Sequence, residues 1–163
     1  MEVSLRDVML SQLNYRASAY LNDGVEPQRF PMGAHSYYVP AQLFSTADGF
    51  LALFITHDKF WKLFADEANI AGPETMRERS EHRDEVLELV AGALATDTAA
   101  NWESRLRRLG VPVAAVRTLP EALAANPEVI VTAGAFRLIR SPIQIDGYEP
   151  EYGAPPRLDE HGG

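Results

Sequence analysis

Between Gln42 and Ile55 two short apolar runs flank Ala47-Asp48-Gly49, and this segment constrains the fold more than any other. Asp-Gly between strand-like runs is a hairpin signal. Leu43-Phe44 and Phe50–Ile55 are therefore expected to pair. Thr56 directly follows and is read as the cap of a helix from His57 to about Ala68, with Phe60, Trp61 and Phe64 on one face. A hairpin feeding an amphipathic helix must bury both apolar faces together. The expected class is α/β, with helices packed on a small mixed sheet.

Further along, a helix is expected from about Ser80 to Leu94, and another after Thr96-Asp97 carrying Trp102, Leu106 and Leu109, with Gly110 as its stop. Val111–Val116 reads as a short buried strand. Thr118-Leu119-Pro120-Glu121 is a capping box opening a helix to Ala125, and Asn126-Pro127 ends it. Val129–Thr132 and Phe136–Ile139 are strand candidates. Both tryptophans lie on apolar helical faces and are read as core anchors.

Upstream, Ser4 to about Asn22 has helical spacing through Leu5, Val8, Met9, Leu13, Tyr15 and Tyr20, and Asn22-Asp23-Gly24 closes it. Ser4 and Asp7 have the spacing of a capping box. Val25 to Pro40 is a long Pro-, Gly- and aromatic-rich loop, and such loops are often functional.

Composition removes several kinds of chemistry. Without cysteine there is no disulfide, thiolate metal site or cysteine nucleophile. His35, His57, His82 and His161 have no zinc-helix spacing, so no metal is expected. A net charge of −8 with no large basic cluster argues against nucleic acid. No apolar run reaches the roughly 18 residues of a membrane span, and Met1–Ser4 lacks the features of a signal peptide. The expected location is the cytoplasm. There is no phosphate-binding glycine loop and no nucleophile elbow. Carboxylates remain, and Asp7 is either a helix cap or a nucleophile able to attack a thioester.

Several segments in fixed order bear on that choice. Val3-Ser4-Leu5-Arg6-Asp7 is similar to the strand-to-helix passage that carries the catalytic aspartate of the class III CoA-transferases, the CaiB/BaiF family. Arg29 to His35, followed by Pro40, resembles the family's R-x-G-x-x-H…P stretch, although Met32-Gly33-Ala34 matches it only approximately. Phe44 to Gly49 resembles its F-x-T-x-D-G hairpin, and Phe60-Trp61-Lys62-Leu63 the helix that follows. Trp102, Leu106 and Gly110–Val116 resemble its W…L…G-V-P-x-A-P-V segment. Ala154 to His161 resembles its closing A-P-x-L-G-E-H, with Asp159 where the family usually has Gly.

The resemblance implies Asp7 as covalent nucleophile, a coenzyme A thioester as substrate with no covalently bound cofactor, and acyl-CoA and a carboxylic acid as partners. His35 is a candidate for binding, since its loop could face the active site. The implied division is 1–24 as the catalytic-aspartate helix of a large domain, 25–39 as linker, 40–117 as a small α/β domain and 118–163 as the return to the large domain. The family's chains are much longer and interlock as dimers. The expected reading is thus a fragment that acts as a homodimer or with a complementary N-terminal half. Two alternatives stand beside it: a non-catalytic dimerisation or binding module, and an α-methylacyl-CoA racemase-like protein. Against the racemase, His57 stands where those enzymes carry Glu.

Overall fold

The computed structural model describes residues 3–156, which divide between two compact units, Met1–Val116 and Arg117–Gly163. In the first unit the hairpin forms as expected. Strand Ala41–Ser45 (β1) pairs antiparallel with Phe50–Phe54 (β2), and β2 pairs antiparallel with Val113–Ala115 (β3) in the order β1-β2-β3. The α/β class is as the sequence predicts, but the sheet is not the mixed one expected: among the described residues every strand pair is antiparallel. Alternation sends Phe44, Leu51 and Leu53 inward, while Leu43, Phe50 and Phe54 face outward.

Helices Asp58–Ala68 (α3), Arg83–Leu94 (α5) and Ala99–Arg108 (α6) contribute Trp61, Phe64, Val86, Val90, Leu94, Trp102 and Leu106 to the core over the inner face. Full burial of a large apolar side chain stabilises by about 1.5–3 kcal/mol, so this cluster is the main source of cohesion in the unit. Trp61, Phe64 and Trp102 form a chain of ring contacts, with centroids 6.1 and 6.5 Å apart. The Trp102 indole also donates to the Leu94 carbonyl at 3.1 Å, so both tryptophans are core anchors.

The Asp48 turn does more than reverse the chain. Its carboxylate accepts from the Thr46 hydroxyl at 3.1 Å and from the Ala99 N–H at 2.8 Å, and so satisfies a free donor in the first turn of α6. The Ala47 N–H donates to the Asp97 carbonyl at 3.0 Å. The hairpin tip thereby caps a helix fifty residues away, beside the Thr98 cap of the same helix. Asp48→Ala is expected to cost about 0.5–2 kcal/mol, the range for a lost helix cap, read as a lower urea midpoint with unchanged slope.

Several expectations need correction. The helix expected from Ser4 to Asn22 is two helices, Leu5–Ser11 (α1) and Asn14–Asp23 (α2). Ser11 turns its hydroxyl back onto the Val8 carbonyl at 2.7 Å, and Asn14 adopts a positive φ of 47°. A serine competing for the helical carbonyl and a left-handed residue both favour a break. Neither helix buries any residue. Asn22-Asp23-Gly24 does end α2, with Gly24 left-handed and the Val25 N–H returning to the Ala19 carbonyl.

Likewise, the helix expected from Ser80 is preceded by Met76–Glu81 (α4), opened by a Thr75–Glu78 capping box and separated from α5 at His82. The helix at 58 is capped at position 57, not at Thr56, and His57 makes no side-chain capping bond there. The expected buried strand at 111–116 is a three-residue edge strand: Val111 is buried, but Ala114 and Val116 face outward.

In the second unit the Thr118–Glu121 capping box opens Leu119–Ala125 (α7) as expected. Strands Ile130–Ala133 (β4) and Phe136–Ile139 (β5) form an antiparallel hairpin around Gly134-Ala135, with Gly134 at a φ of 61°. The Ser141 N–H donates to the Tyr152 hydroxyl at 2.8 Å. Among the described residues no helix is long and apolar enough to cross a membrane. Positions 157–161 of the expected closing motif lie outside the described residues.

Candidate active site

Asp7 lies in the first turn of α1. Its backbone N–H donates to the Ser4 side chain at 3.4 Å, which is the first half of a capping box. The second half, in which the acidic side chain returns to the cap residue's N–H, is formed by Glu78 in α4 and Glu121 in α7 but not by Asp7. In those two helices the bonds from Thr75 and Thr118 also hold the glutamates below the usual carboxylate range. The Asp7 carboxylate is instead turned outward and, among the described residues, meets the Arg6 guanidinium alone, at 3.1 Å, with both side chains largely exposed. An exposed pair of this kind is worth about 0–1 kcal/mol and does not tie the carboxylate down. Asp7 is therefore presented, not consumed, by the helix terminus.

His35 is the centre of a separate cluster. Its Nδ1 accepts from the backbone N–H groups of Tyr37 and Tyr38, at 3.1 and 3.0 Å. With Nδ1 as acceptor, the proton sits on Nε2, which donates to the Tyr15 hydroxyl of α2 at 2.8 Å. Arg83, from α5, donates to the carbonyls of His35 and Ser36 at 3.0 and 2.8 Å, and its guanidinium lies 4.7 Å from the Phe30 ring centre. The loop is thus pinned from one side by α5 and joined to α2 through a neutral imidazole. His35 and Asp7 make no bond to each other.

Partial burial of the imidazole, and then the nearby charges of Arg16 and Arg83, lower the His35 pKa from its ordinary value. The unfolded chain consequently takes up this proton before the folded one does. The stability that His35 contributes is complete above its unfolded pKa, near 6.5, and declines as pH falls below that value. Urea midpoints of the wild-type chain are expected to drop between pH 7.5 and pH 5.5. His35→Gln, which cannot titrate there, is expected to show a shallower drop. Equal pH slopes in the two proteins would remove this account.

The sequence pattern missed Tyr15, Arg16 and Arg83 as neighbours of His35. Tyr15 carried a helical-face signal, and its hydroxyl left no local mark. Arg83 gave no cue, since a charge at a helix start is ordinarily solvated. His57 stands at the start of α3 with its ring tilted against Phe60, 5.9 Å between centroids. His82 lies 3.5 Å from Glu85 at the opening of α5. Among the described residues no group of three or more His, Asp or Glu side chains is placed to hold a metal ion.

Comparison with known proteins places this geometry in context. The model of CoA-transferase family III matches residues 1–162. The chain is 26% identical over 177 residues to an acetyl-CoA:oxalate CoA-transferase of Acetobacter aceti, covering 99% of this chain and 44% of that protein. It is 26% identical to an acyl-CoA transferase of Fusarium pseudograminearum, across 98% of this chain and 39% of that one. Among solved structures, Rv3272 from Mycobacterium tuberculosis superposes with a TM-score of 0.77 at 20% identity, over 98% of this chain and 43% of that one. A CaiB/BaiF family protein from Brucella suis gives 0.72 at 24% identity, over 96% and 44%. The chain is thus matched over nearly its whole length while spanning less than half the length of these relatives, and it belongs to CoA-transferase family III.

Proposed function

We propose that this chain carries the nucleophile of an acyl-CoA:carboxylate CoA-transferase, and that Asp7 is that nucleophile. One observation supports this above the rest: in a chain matched to the family over residues 1–162, the Asp7 carboxylate is left out of the capping box its spacing permits. An aspartate serving the helix terminus would be turned back toward Ser4.

The chemistry needs no net proton. The Asp7 carboxylate attacks the thioester carbonyl, the C–S bond breaks, and CoA leaves as the thiolate from a mixed anhydride. The thiolate then attacks the aspartyl carbonyl and releases the donor acid, leaving an aspartyl thioester. An acceptor carboxylate attacks that thioester, giving a second anhydride and the thiolate. The thiolate takes the acceptor's acyl group and restores Asp7. Each tetrahedral oxyanion requires hydrogen-bond donors aimed at it.

Because the chain spans less than half of its relatives, the activity, its acyl-CoA and acid substrates, and a dimeric or complemented assembly are proposals for the whole protein. The division at 24, 39 and 117 is proposed on the same footing. A racemase-like reading lacks the Glu it would want, since His57 occupies that place. The test is chemical trapping. The chain, with the complementary half of a relative supplied, is incubated with acetyl-CoA and then hydroxylamine, and peptides are mapped by mass spectrometry. A hydroxamate on Asp7 is expected. Its absence under conditions where CoA exchange proceeds would remove Asp7 as nucleophile.

A further inference from the structure

A groove in the first unit, separate from the Asp7 carboxylate, has the composition of a binding site. Its volume is about 380 Å³, within the range of small-molecule pockets. Ala19 of α2 and Val25, Phe30 and Tyr37 of the following loop give it apolar walls, and Tyr15 and Arg16 stand at its polar end. The wall is held in place. Arg83 stacks on Phe30 and bonds the loop carbonyls, and His35 is bonded to Tyr15 and to the Tyr37 N–H.

Arg16 makes this more than an apolar recess. The residue is half-buried, its guanidinium carbon lies 5.8 Å from the Tyr15 ring centre, and it forms no ion pair with any carboxylate of the described residues. A guanidinium without such a partner is suited to two parallel bonds with an incoming carboxylate. Arg16 and Arg83 both lie near His35 and bring two positive charges to this neighbourhood in a chain of net charge −8. Glu26 also lines the groove but is exposed, so the half-buried charge there is the cation.

We propose that this groove binds a small carboxylic acid with an apolar, ring-sized body, its carboxylate on Arg16 and its body between Phe30, Tyr37 and Ala19. The site does not rest on the reading of Asp7 above, because the groove is separate from that carboxylate. His35 acts as a positioning residue, since its Nε2–H accounts for one lone pair of the Tyr15 hydroxyl and leaves that hydroxyl's own proton free to donate.

The probe is 3-phenylpropionate, followed by saturation-transfer NMR on the 163-residue chain, with 3-phenylpropan-1-ol as the uncharged counterpart. Saturable binding of the acid is expected, with the alcohol at least tenfold weaker. Arg16→Gln is expected to weaken the acid by roughly ten- to a hundredfold and to leave the alcohol unaffected, in line with the loss of hydrogen bonds to a charged group. Ala19→Trp, which keeps Arg16 and fills the groove, is expected to weaken both. No saturable binding of the acid, equal binding of acid and alcohol, or unchanged acid binding in either variant would overturn the proposal. Since the readout is equilibrium binding of a free acid, it stands apart from the trapping of Asp7, and each idea can fail alone.

Discussion

Arg79→Met is expected to destabilise the first unit by about 3–5 kcal/mol, through the backbone carbonyls it leaves without a donor. Arg79 is fully buried. Its Nε donates to the Val39 carbonyl at 2.9 Å, one terminal nitrogen donates to the carbonyls of Pro73 and Glu74, and the other reaches the Asp58 carboxylate at 2.8 Å. Its guanidinium lies 5.1 Å from the Trp61 ring centre. One side chain therefore joins α4, α3 and the two loops beside them. Methionine fills the volume but leaves three backbone carbonyls without their donor, each costing about 1–3 kcal/mol if it stays dry. The Asp58 contact is the weaker part, because that side chain is 56% exposed and water screens it. Asp58→Asn is accordingly expected to cost less than about 1 kcal/mol. Urea unfolding of both variants separates the contributions. If Asp58→Asn costs as much as Arg79→Met, the ion pair and not the carbonyl network holds the unit together. Against the 5–15 kcal/mol typical of a domain, the expected Arg79 loss is a large fraction of the total.

Nothing in the sequence pointed to Arg79. It sits among Arg77, Glu78 and Glu81, where a solvated helix face is the natural reading, and Arg77 does make an ordinary exposed pair with Glu81. Only the tertiary approach of the 39–40 loop and Pro73-Glu74 makes Arg79 a core residue. The hairpin, by contrast, was legible because its information is local. Asp48-Gly49 sets the turn and alternation sets the faces. The capping box at Thr118 was legible for the same reason. The break between α1 and α2 was not, because the apolar spacing of Leu5, Met9 and Leu13 favours one helix and the decision rests on Ser11 and Asn14. The site divides in the same way. Asp7 is proposed from ordered motifs along the chain, whereas Tyr15, Arg16 and Arg83 meet His35 only after folding.

If Asp7 is the proposed nucleophile, Asp7→Asn, assayed with the complementary half of a relative supplied, is expected to abolish CoA transfer while leaving the fold intact, and the two halves of that statement together separate a nucleophile from a cap. An amide of nearly the same shape keeps the backbone N–H that bonds Ser4, so α1 loses nothing it depends on. It also loses the Arg6 pair, which is exposed on both sides and contributes little. The urea midpoint should therefore move by no more than a surface substitution does, about 0.5 kcal/mol. Turnover is another matter. An amide cannot form the anhydride, and loss of a covalent nucleophile removes the chemical step, so exchange between acyl-CoA and a labelled carboxylic acid should fall by at least about a thousandfold. KM for acyl-CoA should change little, since the carboxylate acts after binding. Asp7→Glu gives the complementary check. It keeps the charge but moves the attacking oxygens by one methylene, and misplacement of about 1 Å costs on the order of a hundredfold in rate. The expected order is wild type, then Glu, then Asn, with stability nearly constant across the three. The opposite pattern, in which Asn destabilises α1 and exchange continues, would return Asp7 to the role of a helix-terminal acid and leave the nucleophile to be sought elsewhere in the protein.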